Sequence, residues 1–266
     1  HSASGASRLA LDIIDIPQSV SVITETQMSD YQLNDIDTVL DTATGVNVER
    51  IETNRTYYTA RGFDITNFQI DGVGLPLSSG NNHSGEDTAI YDRIEVIRGA
   101  NGLMTGVGNP SATINFIRKR PSAENELVLN ASLGSWNSNR LALDGSYNFT
   151  DDTSILAVAV TQNSDSYLDR YKTEKDIFYV FLEHQLSENT EISLSHSYSD
   201  SKANGNGWGA NPLFYTDGSA TNYDRATNTS ANWTNWDIKK QNTVFEITHI
   251  FDNNMQLRGT YSHKST

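Results

Sequence analysis

From about residue 126 to the end of the chain, apolar and polar side chains alternate. In 140–149, Leu141, Leu143, Tyr147 and Phe149 fall on one face, and Arg140, Asp144, Ser146 and Asn148 on the other. In 191–199, Ile192, Leu194 and Tyr198 oppose Glu191, Ser193, Ser195, Ser197 and Ser199. In 255–264, Met255, Leu257 and Tyr261 oppose Gln256, Arg258, Thr260, Ser262 and Lys264. Residues 127–133, 177–186 and 242–251 repeat the pattern less cleanly, and 154–162 is apolar on both faces. Successive side chains of a strand point to opposite faces, so this period predicts seven β-strands.

The predicted connections alternate in length. Those around 149–153, 186–190 and 251–255 are short; those at 135–139, 164–175 and 200–241 are longer. Short turns at one end and long loops at the other mark a membrane-spanning barrel. Aromatic residues near the strand ends (Trp136, Tyr147, Phe149, Tyr167, Phe178, Tyr198, Phe251, Tyr261) fit the girdles at a bilayer interface. A soluble antiparallel sandwich also alternates with a period of two, and it stands as the competing fold. A membrane helix is excluded: the longest strictly apolar run is Ile155–Val160, against roughly 20 residues for a span. Seven strands alone would leave two unpaired edges, which lipid does not tolerate. The pattern therefore predicts more strands beyond Thr266.

Before residue 125 the chain reads differently. Residues 17–24 (PQSVSVIT) predict a strand. Asn34 and Asp35 precede a stretch in which Ile36, Val39, Leu40 and Ala43 fall at helical spacing, and Gly45 suits its stop. Phe68–Val73 reads as a strand entering a turn, and Arg93–Ile97 and Ile114–Ile117 as two more strands. Short strands with a helix predict a small α+β domain over 1–124, followed by the strand domain over 125–266.

Composition narrows the chemistry. Lys and Arg number 19 and Asp and Glu 33, a formal net charge of -14, which argues against a nucleic-acid partner. The chain has no cysteine, so disulfides, thiolate metal sites and Cys nucleophiles are out. Its six histidines (His1, His83, His184, His196, His249, His263) are too widely spaced to predict a structural zinc site. No Ser-His-Asp or dicarboxylate arrangement emerges, and no enzyme is expected. The Gly-rich stretch GANGLMTGVGNPS lacks the Lys-Ser/Thr and the βαβ unit of a phosphate loop.

Four ordered blocks carry a resemblance. Residues 91–121 (YDRIEVIRGANGLMTGVGNPSATINFIRKRP) have the form E-V-x-R-G, Gly-rich loop, I-N-x-x-x-K-x-P. Upstream lie the opening strand at 17–24, Arg61-Gly62-Phe63, and Asp71-Gly72-Val73. Together they resemble the plug domain of TonB-dependent outer-membrane receptors, specifically ferric-siderophore receptors of the hydroxamate and pyoverdine type. No TonB box is visible in HSASGASRLALDI. The resemblance implies an α+β plug followed by the first strands of an antiparallel transmembrane β-barrel, about 22 strands when complete. It implies an outer-membrane location, with the energy-coupling protein TonB, outer-membrane lipid and a ferric siderophore as partners. The iron arrives already chelated, so no resident cofactor or metal site is expected. Arg61, Arg93, Glu95, Arg98 and Arg118 would serve as plug–barrel ion pairs rather than substrate contacts, with simple solvated charges as the alternative. The siderophore would meet Arg55, Tyr57, Leu75 and Tyr91 at plug apices, and Trp208, Tyr215, Trp233 and Trp236 in the long outer loop. Import of another large nutrient, such as cobalamin or an oligosaccharide, and a soluble carbohydrate-binding β-protein are the alternatives.

Overall fold

A computed structural model describes residues 2–3, 11–12, 15–75, 82–83, 86–102 and 110–266; at 2, 11, 12, 75, 82 and 83 it describes the backbone alone. The chain divides into two compact units, His1–Lys119 and Arg120–Thr266. The division falls a few residues before the expected boundary at 124. The reason is that residues 120–125 bond to the strand ends of the second unit: Arg120 to Glu246, and the Ser122 amide to Ser146 Oγ at 2.7 Å.

In the first unit, β1 (Ser2–Ala3) pairs with β2 (Leu11–Asp12). Next come β3 (Ser19–Thr24), α1 (Glu25–Asp30), α2 (Ile36–Thr42), β4 (Asn47–Arg50), β5 (Arg55–Ala60), β6 (Phe63–Asp64), β7 (Asn67–Ile70), β8 (Val73–Leu75), β9 (Asn82–His83), β10 (Tyr91–Arg98) and β11 (Ala112–Arg118). Five of these form one sheet in the order β3-β10-β11-β7-β8, with β11 and β7 parallel and the other pairs antiparallel. A smaller sheet pairs β5 with β4, β6 and β9.

Helix α1 was not expected. Its start is a capping box, in which Thr24 Oγ1 accepts from the Gln27 amide and Gln27 Oε1 accepts from the Thr24 amide. Helix α2 begins where the spacing placed it, with Asp35 Oδ1 accepting from the Thr38 amide at 2.8 Å. It stops at Thr42, and Gly45, at φ +77°, sits in the turn closed by Val46 N–H to the Ala43 carbonyl. The helices pack Met28, Ile36, Val39 and Leu40 against Tyr58, Phe68, Ile94, Ile114 and Phe116. Arg61-Gly62 and Asp71-Gly72 are two-residue hairpin turns with positive φ at both positions (56° and 81°; 50° and 79°).

The second unit is one antiparallel sheet in sequential order. Its seven strands are β12 (Glu126–Leu133), β13 (Asn139–Thr150), β14 (Thr153–Asp165), β15 (Lys172–Ser187), β16 (Thr190–Asn204), β17 (Asn235–Ile250) and β18 (Gln256–Ser265). Several strands run further toward the long-loop end than their alternation suggested, so the loops shrink to 166–171 and 205–234. There polar and charged residues dominate, and pairs such as Asp176↔Asp200 and Asp200↔Lys239 interrupt the hydrophobic period.

The register puts one set of side chains on a common face. The rows Leu129–Leu143–Ala159–Phe178–Tyr198 and Leu182–Leu194–Phe245–Tyr261 each run strand to strand across the sheet. This apolar face is the exposed one, with Leu129 63%, Leu194 48% and Tyr261 67% exposed. The buried side chains lie on the other face, including Ser146, Ser195 and Glu246. That face also carries buried Leu156, Val158, Val160, Ile177, Tyr179 and Phe181, so it is less polar over β14 and β15 than the pattern suggested. Exposed apolar rows with polar groups turned inward invert a water-soluble sandwich and match a wall that faces lipid. No described helix is long and apolar enough to cross a membrane.

Candidate functional site

The candidate residues fall in both units, and each group stands by itself. In the first unit, Arg55 and Tyr57 share the half-buried face of β5, while Thr56, Tyr58 and Ala60 turn inward. The buried face is tied to α2 through Asp37, which accepts from Thr56 Oγ1 at 2.8 Å and from Tyr58 Oη at 2.5 Å. The Arg55 guanidinium is engaged by Glu52 through Nε (2.8 Å to Oε2) and through Nη2 to Oε1. Arg55 therefore presents a compensated charge rather than a bare cation.

Tyr91 does not belong to an accessible site. It is 1% exposed, its ring lies 5.2 Å from that of Phe116, and its hydroxyl donates to Glu86 Oε1 at 3.0 Å. Its place at the start of β10 suggested a surface position, but the side chain turns into the core with Ile94 and Phe116. Burial, then the Glu86 carboxylate, holds the phenol well above its ordinary pKa. The backbone of Leu75 ends β8, and its side chain lies outside the described residues, as do residues 76–81 of the expected apex and 103–109 of the Gly-rich loop.

The arginines expected to reach across to the strands find partners within the first unit. Arg93 pairs with Asp92 (2.7 Å) and Glu95 (3.0 Å), and Arg118 with Asp71 (2.5 Å). Arg98 donates to Ser19, Ser21 and the Thr44 carbonyl. Buried Glu95 accepts from Asn115 Nδ2 at 3.0 Å, and Asn115 Oδ1 accepts from the Gly72 amide at 2.9 Å. This network fastens the Asp71-Gly72 hairpin to β10 and β11.

In the second unit the structure brings two of the four aromatic candidates together. Trp208 and Trp236 stack, with ring centroids 5.0 Å apart and planes 12° from parallel. Trp236 is on β17 rather than in the loop, opposite Ala203 and on the same face as Val244 and Glu246. Trp208 comes from the long loop and remains 64% exposed, so the pair offers an open aromatic surface. Trp233 (83%) and Tyr215 (60%) are also exposed; Tyr215 belongs to a tight loop closed by its amide to the Ser219 carbonyl at 2.8 Å.

The base of that loop is braced by residues the sequence reading missed. Asn228 Nδ2 donates to the carbonyls of Asp169 (2.7 Å) and Gly205 (2.8 Å). Arg170 donates to Asn232 Oδ1 (3.0 Å) and to the Asn228 carbonyl. Gly205 has φ +68°, and a Cβ there would lie 2.4 Å from the Arg170 carbonyl oxygen, so only glycine fits. Arg225 lies 5.1 Å from the centroid of the Tyr167 ring, tying the loop to the neighbouring connection. Asn-rich connections rarely reveal their partners from spacing, and the bonds to Asp169 and from Arg170 join residues about sixty positions apart.

His184, His196 and His249 each bond a threonine across the strand pair, Thr153, Thr243 and Thr190 respectively, at 2.8 Å. Among the described residues no group of three or more His, Asp or Glu side chains could hold a metal ion.

Residues 12–113 match the family model described as the TonB-dependent receptor plug domain. The chain carries the plug domain of a TonB-dependent receptor. Along 97% of its length it is 37% identical to the ferripyoverdine receptor of Pseudomonas aeruginosa, covering 32% of that protein. It is 33% identical over 237 residues to a ferric-pyoverdine BN7/BN8 receptor of Pseudomonas putida, covering 88% of this chain and 29% of the relative. The crystal structure of the P. aeruginosa ferripyoverdine receptor bound to ferripyoverdine superposes with a TM-score of 0.95 at 34% identity, over 99% of this chain and 36% of that one. The chain thus spans about a third of the length of the curated relatives it matches. The plug is followed by the first antiparallel strands of this family's β-barrel. These relatives are transport receptors, not enzymes.

Proposed function

We propose that the whole protein is an outer-membrane receptor that imports a ferric siderophore of the hydroxamate-bearing, pyoverdine class with energy from TonB. The observation that carries this reading is the continuity of the match. Plug, seven strands and tryptophan-bearing loop all fall within a stretch 37% identical to a ferripyoverdine receptor. The exposed apolar rows suit outer-membrane lipid.

A ferric siderophore brings its iron fully ligated, so the receptor needs no resident metal or cofactor. It needs flat apolar walls, a few hydrogen-bond donors and freedom from competing charge. The Trp208–Trp236 stack offers such a wall, and Trp233 and Tyr215 are two further exposed rings of the same loop. On the plug, Arg55 and Tyr57 are the polar candidates and Leu75 an apolar one; buried Tyr91 is left out of the proposed site. Binding biases the plug only if the ligand prefers one plug state over another.

The test is a tryptophan-fluorescence titration of the full receptor with a ferric pyoverdine-class chelate. Saturable quenching is expected, weakened at least tenfold by Trp208→Ala or Trp236→Ala. Unchanged affinity in both variants would remove these rings from the site, and absence of binding to any ferric hydroxamate chelate would sink the substrate class.

A further inference from the structure

The chain passes from the first unit to the second through two adjacent cations, and each is bonded into a different unit. Lys119 closes the first. Its Nζ reaches Glu25 Oε1 at 2.6 Å, and its amide donates to the Ile90 carbonyl at 2.9 Å. Arg120 opens the second. Its Nη2 reaches Glu246 Oε1 at 2.7 Å, and its Nη1 reaches Glu191 Oε1 at 3.0 Å and Glu183 Oε2 at 3.2 Å. The three carboxylates come from β15, β16 and β17, all near the short-turn end. The same guanidinium lies 5.2 Å from the centroid of the Phe181 ring. Glu246 is buried, and its other oxygen takes Arg258 of β18, Nε at 2.7 Å and Nη2 at 2.5 Å. One arginine thus gathers three strands directly and a fourth through Glu246.

The segment after Arg120 is held as closely. The Ser122 amide donates to Ser146 Oγ at 2.7 Å. Asn148 Nδ2 donates to the carbonyls of Ser122 (3.2 Å) and Ala123 (3.0 Å), and the Asn148 amide donates to Asn125 Oδ1 at 2.7 Å. Burial opposes the charge of Arg120, but Glu246, Glu183 and Glu191 outweigh it and raise its pKa, so no ordinary pH discharges the group. A guanidinium can fork to several carboxylates at once, whereas an ammonium acts as one point charge. A free hinge would need none of these bonds.

We infer that Arg120 with Glu183, Glu191 and Glu246 is a fixed anchor, a stop that keeps residues 120–125 on the strand ends while the plug ahead of it rearranges. With the anchor in place, a pull on the plug must be taken up by rearrangement within the plug. Without it, the same pull lengthens the tether instead. The stop rests on the transport reading; the anchor does not.

Amide hydrogen exchange on the full receptor, free of ligand and TonB, tests the anchor alone. Arg120→Gln should speed exchange at Ser122 by at least tenfold, and Arg120→Lys by less. Arg258→Gln, which removes the other cation paired with Glu246, should leave Ser122 unchanged. Native-like exchange at Ser122 in R120Q, or an equal rise in R258Q, would overturn the anchor. Uptake of a ferric pyoverdine-class chelate then tests the stop. It should fall at least threefold in R120Q at unchanged binding affinity, and normal uptake together with fast Ser122 exchange would overturn the stop while leaving the transport reading intact.

Discussion

At the scale of single residues, the sharpest consequence of the packing is at Tyr91. Its phenol is buried against Phe116 and donates to Glu86, and burial followed by the Glu86 charge raises its pKa. In an unfolded chain a tyrosine ionises near 10. Below that pH both states keep the proton, and the contribution of Tyr91 is fully present. As pH rises further, the unfolded chain releases the proton more readily than the folded one, and stability falls toward the folded pKa. Tyr91→Phe should therefore cost about 1.5–3 kcal/mol at pH 8, the usual range for a hydrogen bond to a charged partner. The deficit should shrink above about pH 10, where a phenylalanine has no proton to lose. Denaturant unfolding of both proteins from pH 8 upward checks this, and a deficit that stays constant with pH contradicts it. The same residue shows a limit of reading spacing: its position at a strand start suggested an apex, but which way the first side chain of a strand points depends on the sheet it joins.

At the scale of elements, the period-two strands were legible because burial on one face imposes alternation. Helix α1 was equally written in the chain, as Thr24 followed three residues later by Gln27, but the strand before it masked the signal. The upper parts of β15, β16 and β17 were not legible, because charged and polar residues such as Asp176, Asp200 and Lys239 interrupt the period there. The register of β14 was ambiguous in sequence and is fixed only by pairing: Ile155↔Leu182 places Ile155, Ala157 and Ala159 on the exposed face, and Leu156, Val158 and Val160 on the buried one. If the exposed rows face lipid, their tolerance to charge is opposite to that of a water-facing strand. Leu194→Arg, in the middle of the row Leu182–Leu194–Phe245, should destabilise the folded receptor by about 2–4 kcal/mol in a bilayer. On a water-facing sheet the same change at a side chain 48% exposed would be nearly neutral, within about 0.5 kcal/mol. Unfolding measured in lipid vesicles separates the two outcomes.

At the scale of the whole molecule, connection lengths and ordered plug motifs made the architecture readable before any coordinates. What stayed hidden were contacts between distant residues: the Asn228 and Arg170 brace, the Trp208–Trp236 stack and the carboxylates around Arg120. Each joins segments whose proximity only the strand pairing decides. The alternation of connections makes a claim about sidedness. The turns at 151–152, 188–189 and 251–255 lie at one end of the sheet and 205–234 at the other. In an outer-membrane barrel the long connections face outward and the short ones the periplasm. The chain has no cysteine, so an introduced thiol reports its own location once any others in the full receptor are removed. Thr216→Cys, exposed in the long loop, should react with a membrane-impermeant maleimide on intact cells, and Glu188→Cys, exposed in a short turn, only after the outer membrane is opened. Both residues are solvent-exposed, so their difference on intact cells comes from the membrane and not from burial. Equal labelling of the two on intact cells would mean that the sheet does not span, and the lipid-facing assignment of its apolar rows would fall with it.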